Sequence, residues 1–200
     1  MSTLLLSSLL WGCSGGGVEV PLDGPAEPAA KAPFTCPEGS KLNQTTTGTG
    51  SEQFCDRDGV MQGPYLRIYP DGETKAARGA YDRSAPDGDW TWWHENGEEA
   101  QKGKYVKGKQ VGAWTRWYQS GKREEEGDYL SGRKAGQWTT FYESGHKQAA
   151  GIYQNDMKNG MWTYWFDDEE GTVERTELWE GGIVKEEKII NKAPPEKKEP

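Results

Sequence analysis

The feature that most restricts what this chain can fold into is an internal repeat. Gly63-Pro64-Tyr65, Gly88-Asp89-Trp90, Gly112-Ala113-Trp114, Gly136-Gln137-Trp138 and Gly160-Met161-Trp162 stand in phase, at spacings of 25, 24, 24 and 24 residues. In each of these five units a second, mostly aromatic pair follows: Ile68-Tyr69, Trp93-His94, Trp117-Tyr118, Phe141-Tyr142 and Trp165-Phe166. A glycine-containing turn comes next, as in Glu95-Asn96-Gly97 and Gln119-Ser120-Gly121. Four units then return through Gly79-Ala80-Tyr81, Gly103-Lys104-Tyr105, Gly127-Asp128-Tyr129 and Gly151-Ile152-Tyr153. The fifth has a longer Asp167-Asp168-Glu169-Glu170-Gly171 turn and keeps only Leu178-Trp179-Glu180-Gly181. A repeat of this length is one supersecondary unit that buries its apolar side only against its neighbours.

The residue types say which unit. Trp114-Thr115-Arg116-Trp117-Tyr118 is rich in strand formers, and successive side chains of a strand point to opposite faces. A short turn sends the chain back along a return strand whose Gly stands two residues before its Tyr. Glycine inside a strand weakens it unless another group needs the space, so the expected gain is room for a cross-strand ring to lie flat on the backbone. Each unit is then a hairpin, and five hairpins make an all-β antiparallel meander of about ten strands. Composition agrees, because Leu, Ile, Val and Phe number only 26 of 200 residues, below the roughly 20% that an aliphatic core needs. Nine of the ten Trp and all nine Tyr lie between positions 63 and 183, so this segment folds on aromatics.

The repeated Gly-x-Trp, the second aromatic pair and the Gly-x-Tyr return resemble the MORN-repeat variant family, which includes antitoxin repeats of the YwqK type, over residues 63–183. Tyr65 in place of Trp, His94 in the tyrosine position and the expanded fifth turn depart from the pattern. The resemblance implies a single-layer twisted ribbon that acts as a protein-interaction scaffold. Its antitoxin branch implies binding and neutralising a toxin protein.

Ahead of the repeats, Leu4 to Trp11 form a short apolar run, too brief for the ~20 residues of a membrane span and suited to a signal peptide over residues 1–12. Leu10-Trp11-Gly12-Cys13 resembles the lipobox of bacterial lipoproteins, which implies lipidation at Cys13 and an anchor in the bacterial cell envelope, periplasmic or surface-exposed. Two or more acyl chains give stable anchoring. Residues 13–33, rich in Gly, Pro and Ala, read as a flexible tether. Cys36 and Cys55 are expected to form a disulfide that staples a cap over residues 34–62, since an exported protein meets an oxidising compartment. Closing a loop of this size is worth roughly 3 kcal/mol in the chain-entropy model. Zinc is the competing reading, but a structural site wants four ligands, and His94 and His146 stand far along the chain. Residues 184–200 are expected to give an edge strand and then a disordered charged tail.

The inventory for catalysis is thin. No phosphate-binding loop, dinucleotide fingerprint, G-x-S-x-G or H-E-x-x-H occurs, and His94 and His146 read as a packing substitute and a solvated turn residue. Asp167-Asp168-Glu169-Glu170 lacks calcium-loop spacing, and no spacing singles out a carboxylate pair for glycoside hydrolysis. We therefore expect no catalytic residues, no metal, no cofactor and no enzyme activity. Formal charge is -8 overall, with 16 basic and 21 acidic residues in 63–183, giving -5. Nucleic-acid binding is thus disfavoured, as is membrane contact other than through the lipid anchor. The expected function is a protein-interaction scaffold, with a carbohydrate-binding module for peptidoglycan or capsule as the alternative. Gly63, Tyr65, Gly88, Trp90, Gly112, Trp114, Gly136, Trp138, Gly160 and Trp162 define the repeats. A ligand surface would use the positions that vary between the fixed aromatics: Trp92, Arg116, Thr140 and Tyr164.

Overall fold

A computed structural model describes residues 34–192. The segments expected to be signal peptide and tether, Cys13 among them, and the last eight residues lie outside the described residues. Every element is a strand: β1 (Lys41–Thr47), β2 (Gly50–Arg57), β3 (Val60–Ile68), β4 (Lys75–Asp82), the two-residue β5 (Ala85–Pro86), β6 (Gly88–Trp93) and β7 (Glu99–Val106). There follow β8 (Lys109–Trp117), β9 (Arg123–Leu130), β10 (Arg133–Phe141), β11 (Lys147–Gln154), β12 (Met157–Trp165), β13 (Val173–Glu180) and β14 (Ile183–Ile189).

Thirteen of these pair in sequence order into one antiparallel sheet, with β5 attached beside β4. The meander is as expected, but the strand count is fourteen and not ten. Ten strands, β3, β4 and β6 to β13, are the five hairpins. The surplus comes from β5, from β14, and from β1 and β2, through which the segment before the repeats pairs onto the same sheet. The Cys36–Cys55 disulfide fastens residues ahead of β1 to β2, with Cys55 1% exposed.

Hairpin tips follow from backbone handedness. At Asp58-Gly59, Lys107-Gly108, Ser131-Gly132, Asn155-Asp156 and Gly181-Gly182 both central residues have positive φ, the two-residue turn whose twist matches that of the flanking strands. Successive tips are linked, as the N–H of Gly108 donates to Pro86 O, that of Gly132 to Gln110 O, that of Asp156 to Lys134 O and that of Gly182 to Lys158 O. The opposite ends are stitched by side chains. Tyr69 donates its hydroxyl to Trp93 O, Tyr118 to Phe141 O and Tyr142 to Trp165 O, at 2.7–2.9 Å. His94 takes the same role, with Nε2 donating to Trp117 O at 2.8 Å.

The core is a single file of rings on one face. Trp90, Trp114, Trp138 and Trp162 are 2–3% exposed and lie over Gly79, Gly103, Gly127 and Gly151, where a Cβ would sit 2.2–2.3 Å from ring carbon. The return-strand glycine is therefore the seat of the next unit's indole. In three of the four, its neighbour's carbonyl holds the indole N–H, as Trp90 donates to Ala80 O, Trp138 to Asp128 O and Trp162 to Ile152 O, while the Trp114 N–H is buried without a partner among the described residues. Tyr81, Tyr105, Tyr129 and Tyr153 each stand edge-on to the next Trp at 5.1 Å, with interplanar angles of 80–90°. Each such pair adds about 1 kcal/mol beyond burial, which offsets the missing aliphatics.

Candidate functional surface

Register places the variable positions in one line. Pairing runs from Glu52 to Arg67, Ala77, Trp92, Gln101, Arg116 and Glu125, and on to Thr140, Ala149, Tyr164 and Arg175. Trp92, Arg116, Thr140 and Tyr164 thus occupy a single cross-strand row, two residues from the buried Trp of their own strand and on the same face. The repeat-defining glycines Gly63, Gly88, Gly112, Gly136 and Gly160 all have positive φ. In units three and four they fall where the pairing with the preceding strand slips, as between Ala135 and Trp138. Tyr65, the first unit's substitute for Trp, is buried and donates to Glu52 at 3.0 Å. Burial, that hydrogen bond and the Glu52 charge hold its phenol well above the ordinary tyrosine value.

Units one to three enclose a groove of about 530 Å³ floored by Trp90, Trp92 and Tyr105 and flanked by Arg67, Arg116 and Glu124. Trp92 lies 5.4 Å from Trp90 at an interplanar angle of 24° and 5.9 Å from Trp114 at 33°, so it stacks on Trp90 and is tilted against Trp114. Farther along the row the charges are paired. Arg116 meets Glu124 at 2.8 Å and Glu125 at 3.3 Å, and Lys134 meets Glu125 at 2.9 Å.

The fifth unit closes the array differently. Glu177 stands opposite Trp162, where other units have glycine, because no further indole has to be seated there. Its carboxylate accepts from Tyr164, Trp179 and Arg175 at 2.6, 2.8 and 2.9 Å. Burial alone would raise its pKa, but these hydrogen bonds outweigh it and hold the carboxyl below its ordinary value. Tyr164 is pushed well above the ordinary tyrosine value by burial and by the Glu177 bond and charge.

Sequence reasoning missed Glu125, Glu177, Lys134 and Lys158. The two lysines were detectable, since each stands four residues before its Trp and they are one repeat apart. Lys134 Nζ lies 3.9 Å from the Trp138 centroid and Lys158 Nζ 4.3 Å from that of Trp162. Glu177 could not be aligned without knowing how the longer fifth turn shifts the register. His146 sits on the surface with Nδ1 2.9 Å from Asp167. Among the described residues no group of three or more His, Cys, Asp or Glu side chains gathers as a metal site.

No family model matches the chain, and no curated protein matches it. Among solved structures, the Glycosylation Associate Protein (Gap123) complex from Streptococcus agalactiae matches 58% of this chain and 19% of that chain, at 12% identity and a TM-score of 0.30. The chain spans about a fifth of that chain's length, and at this TM-score nothing about function follows from the likeness.

Proposed function

We propose that the ribbon is a non-enzymatic binding surface for another protein, held at a bacterial cell envelope by lipid on Cys13. The observation that carries the binding reading is the contrast between framework and row. The buried Trp and its glycine seat recur from unit to unit, whereas the row beside them reads Trp92, Arg116, Thr140, Tyr164. A glycan of repeating sugars would be met best by a repeating row. A row that changes in size and charge at every step suits a partner of non-repeating sequence, and rigid aromatics and Arg are favoured anchors. The indoles of Trp90 and Trp92 on the groove favour sugar stacking as the second reading.

A photo-crosslinking amino acid at Gln101, on the row, and at Lys102, on the other face, separates these readings in the native cell. The protein-binding reading expects a discrete protein adduct from position 101 and none from 102. Equal adducts from both faces, or enrichment of the chain on purified cell wall without any protein adduct, would count against it. For the anchor, intact mass of the membrane-extracted protein should match residues 13–200 plus acyl chains. A free chain beginning at Met1 would remove it.

A further inference from the structure

Unit five fills an aromatic corner with its own cation. Lys158 Nζ lies 4.3 Å from the Trp162 centroid, 4.7 Å from Trp179 and 5.2 Å from Tyr164, and donates to the Tyr164 hydroxyl at 2.8 Å. Burial among these rings pulls the ammonium below the ordinary lysine value, against the opposing charge of Glu177. Unit four does likewise with Lys134 over Trp138 and Tyr153. Four residues before their Trp, units three and two carry Gln110 and Pro86.

Unit two is the instructive case. The places of Trp162, Tyr164 and Trp179 are taken by Trp90, Trp92 and Tyr105, three rings again, yet Pro86 brings no charge. Trp92 covers Trp90, and Trp92 and Tyr105 meet at 6.2 Å and 68° on the wall of the groove. Unit three has Arg116 at the middle place and offers no such corner. The charged side chains that line the groove are Arg67, Arg116 and Glu124, and both guanidinium groups are already paired, Arg67 with Glu52 at 3.9 Å and Arg116 with Glu124 and Glu125. Glu125 is shared with Lys134 at 2.9 Å, so three cations balance three carboxylates, within repeats of net charge -5. An ammonium or guanidinium is attracted to the face of Trp or Tyr within about 6 Å of the centroid.

We propose that the corner of Trp92 and Tyr105 receives a lysine or arginine side chain of the partner protein, in the place that unit five fills with Lys158. This rests on the reading of the ribbon as a protein-binding surface. The partner's basic residue would be a central anchor, held by the ring faces and favoured by the net negative charge of the repeats.

The test titrates the full chain with a ten-residue peptide of alternating lysine and serine, and with its norleucine twin, followed by tryptophan fluorescence. The lysine peptide should bind at least tenfold more tightly, and less so as salt rises. Pro86→Lys gives unit two the residue that units four and five use at this place, so it should fill the corner from within and weaken the peptide at least tenfold. Trp92→Thr, the residue type that unit four tolerates at Thr140, should weaken it equally by removing the ring. Near-ultraviolet circular dichroism checks that both variants fold. Equal binding of the norleucine twin, or undiminished binding by both variants, would overturn the proposal. So would Trp92-dependent binding of a chitin oligosaccharide without binding of the lysine peptide. A crosslink from Gln101 that persists in Pro86→Lys would leave the protein partner standing and sink the cationic anchor alone.

Discussion

At the residue scale the fold rests on a lock between one ring and one missing Cβ. In Gly127→Ala the new methyl would meet Trp138 Cδ2 at 2.3 Å, and Trp138 is 2% exposed and cannot swing away. Overpacking of this kind costs about 3 kcal/mol, read as a lower denaturant midpoint. Gly48→Ala, with nothing within 4 Å of the added methyl, should stay within about 0.5 kcal/mol of the parent. Glu177 gives the pH counterpart. Its carboxyl titrates lower in the folded chain than the ordinary 4.5, so it contributes stability that is fully present above that value and is lost as the pH falls through the folded value. Glu177→Gln should lower stability at pH 7 by about 2 kcal/mol and flatten the loss below pH 4.5. Urea melts of both proteins between pH 3 and 7 would show it, and parallel pH profiles would refute the assignment.

At the scale of elements, each hairpin is tied to the next at both ends. Tyr118→Phe removes the hydroxyl that holds Phe141 O and should cost about 1 kcal/mol, with faster amide exchange confined to the flanking turns. Lys107 has φ 49° beside Gly108, and Asn is preferred at that place in such turns. Lys107→Asn should therefore stabilise by about 0.5 kcal/mol, with the Lys107 N–H bond to Asp87 retained. These elements were legible in the sequence because the period, the Gly-x-Trp and the Gly-x-Tyr fix each hairpin and its phase. The variable row was legible too, since strand parity places Trp92, Arg116, Thr140 and Tyr164 alike. Two things were not. Residues 41–57 carry no aromatic repeat, so nothing local announced that β1 and β2 would extend the sheet. The place of Glu177 opposite Trp162 was hidden as well, because the longer fifth turn shifts the register of β13.

At the scale of the described sheet, strands pair with their sequence neighbours and ring contacts reach the next hairpin, so stability should accumulate unit by unit. The edge strand β14 is exposed along its length and carries Lys185, Glu186, Glu187 and Lys188, charges that discourage pairing with another chain. In the proposed reading the partner meets the broad face that carries the row of Trp92, Arg116, Thr140 and Tyr164. The framework rings hold the sheet, and in the proposed reading the row beside them binds the partner. The most direct measurement is the protein crosslink from Gln101 in native cells carrying Trp92→Thr and Arg116→Thr together, alongside the unfolding free energy of the same variant. The adduct is expected to disappear while stability falls by no more than about 2 kcal/mol. An undiminished adduct, or a chain that no longer folds, would contradict it.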